Sequence, residues 1–198
     1  MKPLAPSSSL ATPLTPPLPT TRRQALCWSG LHGCSDSLAI ASAIGASPGL
    51  FVVVTADAQS ALRIEQEVKT FLGGDAALLP FPDWEILPYD VFSPLPEITS
   101  QRLRTFYELS RIQHGLLITP VSTLMHRVAP RTHTLANTFS IRTGSAVNID
   151  QTRQTLESVG YQCVPQVYQH GEFAIRGSIL NLYPMGSETP YRIELFDD

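Results

Sequence analysis

The chain has 198 residues, enough for one generous domain or two small ones with a buried core. Hydrophobic residues make up 43% and charged residues 16%, a globular composition that excludes an intrinsically disordered chain. The net charge of −3 argues against a surface devoted wholly to nucleic acid, and three cysteines cannot pair off as a disulfide framework. A reducing, cytoplasmic setting follows as the expectation.

Residues 1–21 hold six prolines and seven Ser or Thr, with no acidic residue. An organellar targeting peptide shares the missing acids, but the prolines forbid its amphipathic helix. Residues 1–24 are therefore expected to be a disordered, Pro-rich leader. The longest charge-free run, between Asp36 and Asp57, has the twenty residues of a membrane span. Gly45, Ser47, Pro48 and Gly49 break it into a short helix, a turn and a strand, so no membrane partner is expected.

A small-residue helix is predicted over residues 37–46, followed by a continuous apolar, β-branched strand over 50–55. Such a run suits a parallel strand covered on both faces. Residues 58–72 repeat apolar positions at helical spacing and stop at Gly73 and Gly74. A second strand is predicted at 76–80, then a Pro-rich loop. Next come a helix over 98–113 with Leu103, Phe106, Tyr107 and Leu109 inward, and a third strand at 115–119. Pro120 opens a further helix over 121–128. This alternation predicts an α/β domain with a parallel, three-layer arrangement over residues 25–137. From residue 138 the pattern changes to a helix over 150–159 and short antiparallel strands, the start of an α+β domain over 138–198, cut short at its end.

Charge is unevenly distributed: +2 over residues 1–50, −6 over 51–97, +5 over 98–149 and −4 over 150–198. The basic block consists of Arg102, Arg104, Arg111, Arg127, Arg131 and Arg142. A phosphate-contacting face and a solvated helix surface both produce such a block.

Gly30 and Ser37 fall on the first glycine and last hydroxyl of the phosphate-loop pattern G-x-x-x-x-G-K-[ST], with Gly33 between them. Ser35 replaces the second glycine and Asp36 replaces the lysine. A carboxylate there repels the phosphates that the lysine would hold, although Asp36 could equally serve as a helix cap. The pattern suggests a degenerate phosphate loop that binds no nucleotide, and hence a segment that is not an enzyme. Cys27, His32 and Cys34 have no zinc-site spacing, so no metal is expected. Asp83, Glu85 and Asp90 lie in the Pro-rich loop as solvated acids.

Near the end, Tyr191, Ile193 and Leu195 alternate with Arg192, Glu194 and Phe196. The first set faces the core. The second is polar apart from Phe196, and an Arg–aromatic pair on a polar strand face has the composition of a protein-binding hot spot. Packing of Phe196 beneath a following segment would explain the same pattern.

Three segments carry a resemblance to a known family: GEFAIRG at 171–177, the apolar strand ending in Tyr183 and Pro184, and YRIELFDD at 191–198. They resemble the UvrB-like module of nucleotide excision repair. DWEILPYD at 83–90, with Phe92, Ser93 and Pro94, and PMGSE at 184–188 are similar to the transcription-repair coupling factor branch of that family. The resemblance covers roughly residues 50–198. It implies a RecA-like first domain without a working phosphate loop. It also implies a second domain that binds the damage-recognition protein UvrA through two arginines and a phenylalanine, which fall on Arg176, Arg192 and Phe196. Whole members of the family use ATP and Mg²⁺ to translocate on double-stranded DNA and release stalled RNA polymerase. The motor and polymerase-binding motifs for this are not in these residues, so no cofactor is expected in this segment. A divergent UvrB-like ATPase subunit and a direct DNA-binding domain are the alternative readings.

Overall fold

The computed structural model describes residues 8–9, 12–74, 76–87 and 90–195. It contains, in order, β1 (Ser8–Ser9), β2 (Trp28–Ser29), α1 (Ser35–Ala46), β3 (Leu50–Thr55), α2 (Ala58–Leu72), β4 (Ala77–Pro80) and α3 (Pro96–Leu109). These are followed by β5 (Gly115–Pro120), α4 (Val121–Leu124), α5 (Arg131–Ala136), α6 (Ile149–Ser158), β6 (Gln162–Cys163), β7 (Glu172–Arg176), β8 (Ile179–Leu182) and β9 (Tyr191–Glu194). The chain divides into two compact units, Met1–Pro80 with Ile112–Ser122 and Phe81–Arg111 with Thr123–Asp198. No helix among the described residues is long and apolar enough to cross a membrane.

The first unit is α/β. Strands β3, β5 and β4 lie side by side in that order and all run parallel. Parallel neighbours need crossovers, and α2 supplies the one that leaves β3. Asp57 caps α2 by accepting from the Ser60 amide at 2.7 Å, and Gly73 ends it in the left-handed conformation. Helices α1 and α2 close one face of the sheet: Ala41, Ile44, Ile64 and Val68 pack with Leu116 and Ile118 of β5. Phe51, Val53 and Leu78 border that core. Gly115 lets β4 approach β5, because a Cβ there would lie 2.5 Å from the Ala77 carbonyl oxygen.

Two expectations for this unit need correction. The first strand was expected to be covered on both faces, yet Leu50, Val52 and Val54 are 40%, 53% and 47% exposed. The exposure alternates: Leu50, Val52 and Val54 share one face of β3, while Phe51 and Val53 on the other face border the core, so β3 is covered on one face only. The helix expected over 121–128 is shorter: Pro120 is the last residue of β5, and α4 is a single turn over Val121–Leu124.

The second unit contains a four-stranded sheet in sequence order, β6-β7-β8-β9, antiparallel except for the parallel β6–β7 pair. Helix α6, capped by Asn148 through the Gln151 amide at 2.9 Å, buries Leu156 against Phe173, Leu180 and Leu182. Tyr161, Ile175 and Ile193 complete that core. Residues 139–143 form no strand.

Helix α3 presents the expected face only in part: Phe106, Tyr107 and Leu109 are half-buried, with Phe106 packed on Phe81. Ile98, Ser100, Arg102 and Thr105 are buried, while Leu103 is 38% exposed. The Arg102 guanidinium lies 4.0 Å from the ring centroids of both Phe81 and Trp84 and donates to the Pro82 carbonyl. Two aromatic faces repay the desolvation of the cation, and burial pulls its pKa down from the ordinary arginine value.

Candidate functional site

Two places in the molecule gather the residues singled out by sequence. The first is the start of α1. Gly30 and Gly33 take positive φ (76° and 60°) in the turn that leads to it. The Ser35 hydroxyl closes this turn, accepting from the His32 amide at 2.6 Å and donating to the His32 carbonyl at 2.7 Å. Cys34 is the cap position and makes no side-chain cap bond. Asp36 therefore sits inside the first turn and is not the cap.

Asp36 is held from across the unit. Arg63 of α2 donates to its two oxygens at 2.7 and 3.3 Å, and the Ser37 amide donates at 2.8 Å. The Arg63 bond, more than any other influence, holds the Asp36 carboxyl below the usual aspartate range. Buried Ser37 donates its hydroxyl to Glu67 at 2.6 Å, and Arg63 also reaches Glu67 at 2.7 Å. One guanidinium thus serves two carboxylates. Where the phosphate-loop pattern has a free cation and a free hydroxyl, this chain has both partners already engaged. Neither Arg63 nor Glu67 was among the sequence candidates. Their spacing of four marks a helix surface pair, but nothing local indicates the reach to Asp36.

The second place is the polar face of the β6–β9 sheet. Register pairs Ala174 with Asn181 and Asn181 with Arg192; one step along, Arg176 pairs with Ile179 and Ile179 with Glu194. Alternation then puts Arg176, Asn181, Arg192 and Glu194 on one face and Ile175, Leu180 and Ile193 on the other, against the core. Arg176 and Arg192 are exposed and share this face, two residues out of line across the intervening strand. Arg176 Nη2 donates to the Pro165 carbonyl at 2.7 Å. Arg192 Nε donates to Glu194 Oε1 at 2.8 Å. Tyr191, expected in the core, is 54% exposed at the start of its strand. Phe196 lies outside the described residues.

Glu172 sits on the same face of β7 as Arg176, and its carboxylate accepts from the Tyr168 and Gln169 amides at 2.7 and 3.0 Å. The Tyr168 amide is the main influence holding the Glu172 carboxyl below the usual glutamate range. Cys27, Cys34 and Cys163 are free thiols, and among the described residues no three His, Cys, Asp or Glu side chains converge on a common point.

Residues 139–198 match the family model of the UvrB interaction domain. The chain is 43% identical over 164 residues to the transcription-repair-coupling factor of Haemophilus influenzae, covering 83% of this chain and 14% of that protein. It is 42% identical over 168 residues to the transcription-repair-coupling factor of Escherichia coli, covering 85% and 14%. It is 28% identical over 169 residues to the Bacillus subtilis protein of the same name, again covering 85% and 14%. The chain thus spans about one seventh of the length of these curated relatives.

Proposed function

We propose that this chain, a segment of transcription-repair coupling factor type with a UvrB interaction domain over residues 139–198, is a non-catalytic module that docks on UvrA. The carrying observation is that Arg176 and Arg192, far apart in sequence, share one exposed sheet face within the matched domain. Two guanidiniums on a rigid sheet suit bidentate recognition of carboxylates on a partner protein. Phe196, the next residue of that alternation, is the third proposed contact.

The first unit is, on this reading, a RecA-like domain whose phosphate loop has decayed. The ion pair of Asp36 with Arg63 and the Ser37–Glu67 bond support this, because a triphosphate would meet two carboxylates and no unengaged cation. The organisation is a leader over 1–24, the RecA-like part over 25–137 and the docking part over 138–198. The longer protein of this type would be cytoplasmic. It would use ATP and Mg²⁺ in its own motor to move on double-stranded DNA, release stalled RNA polymerase and bring in excision repair.

The test is a binding titration of the chain against UvrA. Arg176→Ala and Arg192→Ala are each expected to weaken binding more than tenfold with the circular dichroism unchanged, about 1.4 kcal/mol or more. Wild-type affinity in both variants would remove the proposal.

A further inference from the structure

The loop over residues 164–171 leaves β6 and enters β7, and both of its anchors belong to the polar sheet face. Arg176 holds one end through the Pro165 carbonyl at 2.7 Å. Glu172 holds the other, its Oε2 accepting from the amides of Tyr168 and Gln169 at 2.7 and 3.0 Å. A third contact, from the Gln169 side-chain amide to Glu172 Oε1, is 3.4 Å. Two charged side chains are thus committed to the shape of an eight-residue loop. A loop with no task beyond connecting two strands has no need of such fixing.

What the fixed loop presents is Tyr168. Its backbone amide is bound by Glu172, while the residue is 74% exposed. An aromatic ring held out to water on an immobilised backbone loses little conformational freedom on binding and brings large apolar contact area. The same loop exposes Gln166 and Gln169, which add amide donors and acceptors around the ring. Arg, Tyr and a rim of polar groups is the composition of a binding hot spot.

We infer that residues 164–171 form a third part of the docking face, with Tyr168 as its apolar anchor and Glu172 as the positioning residue that holds it. The inference rests on the docking role proposed above for Arg176 and Arg192. It deepens that role by giving the occupant's chemistry: a protein surface with carboxylates for the two arginines and an apolar seat for one ring. Arg176 then has two tasks, contacting the partner and pinning the loop.

The experiment titrates the chain and its variants against UvrA, with hydrogen exchange read on the free protein. Tyr168→Ala is expected to weaken binding about tenfold, while Tyr168→Phe, which keeps the ring, stays within about threefold of wild type. Glu172→Gln is expected to weaken binding several-fold and to speed exchange at the Tyr168 and Gln169 amides, with β7 and β8 still protected and Glu172→Asp partly restoring both. Tyr168 is exposed, so its loss does not threaten the fold. Wild-type binding by Tyr168→Ala, beside a weakened Arg192→Ala, would overturn the loop's role and leave the arginine face standing. Wild-type binding by both would overturn the docking reading and this inference together.

Discussion

Arg63 of α2 grips Asp36 at the start of α1 through two hydrogen bonds, of 2.7 and 3.3 Å, and so ties two helices together where the phosphate-loop pattern has its lysine. The pair is partly exposed, with 43% and 34% of the two side chains open to water, so solvent screens much of it. Asp36→Asn is expected to cost about 0.5 kcal/mol near neutral pH. The Asp36 carboxyl is depressed in the folded protein, so its contribution is complete above the unfolded aspartate value of about 4 and fades as pH falls through the lower folded value. Urea denaturation should therefore separate wild type from Asp36→Asn near pH 7 and bring them together near pH 2.

The same network predicts the result of an attempt to revive the loop. Asp36→Lys restores the missing cation, but it places that cation beside Arg63 and leaves the Ser37 hydroxyl on Glu67. Neither the wild-type chain nor Asp36→Lys should bind a fluorescent ATP analogue at millimolar concentration. Saturable binding by the wild type that Ser37→Ala abolishes would instead support the ATPase-subunit reading.

Arg102 predicts a larger effect on stability. It is 2% exposed, 4.0 Å from the ring centroids of Phe81 and Trp84, and bonded to the Pro82 carbonyl. Arg102→Ala removes two desolvated cation–π contacts and leaves a carbonyl and two rings without their partner, at a cost of about 3 kcal/mol. Arg102→Lys should lose about half as much, because an ammonium on a flexible stem cannot stack between two rings. Trp84 fluorescence during urea unfolding, in a Trp28→Phe background, reads this unit directly.

Arg102 also shows where sequence periodicity stops. Apolar spacing located the parallel strands and α2, because strand–helix alternation leaves few arrangements. It placed Leu103, Phe106, Tyr107 and Leu109 inward on α3, whereas the buried positions are Ile98, Ser100, Arg102 and Thr105. A buried arginine looks like a surface residue until its aromatic partners, about twenty residues away, are known. The exposure of Val52 and Val54 was equally invisible, since a run of valines does not say whether one face of its strand or both are covered. At the proposed docking face, alternation separated Arg192 from Ile193, but only the β7–β8–β9 register places Arg176 on the same face, one strand removed.

Ser100 links α3 to the turn between β8 and β9. Its hydroxyl, 3% exposed as a residue, accepts from the Gly186 amide at 2.8 Å. Ser100→Ala leaves that amide without an acceptor in a part-buried place and should cost about 1 to 2 kcal/mol. Gly186 sits at φ 85°, so Gly186→Ala should cost about 1 kcal/mol through backbone strain alone. The two losses can be compared by denaturation midpoints, with the slope unchanged in each case.

The arginine-rich block supplies a last test, of the DNA-binding alternative. If all six arginines from Arg102 to Arg142 met phosphates, log K would fall against log salt with a slope of about −5. Three of them already have partners within the protein: buried Arg102 lies against its aromatics, exposed Arg104 pairs with Glu188, and exposed Arg111 lies over and bonds Tyr107. Arg127, Arg131 and Arg142 are exposed, with Arg131 reaching the Ser110 carbonyl at 3.4 Å. Titration of the chain with duplex DNA at increasing salt should therefore give weak binding with a slope no steeper than about −3. A slope near about −5 would require Arg104 and Arg111, and in the limit Arg102, to exchange their partners within the protein for phosphates.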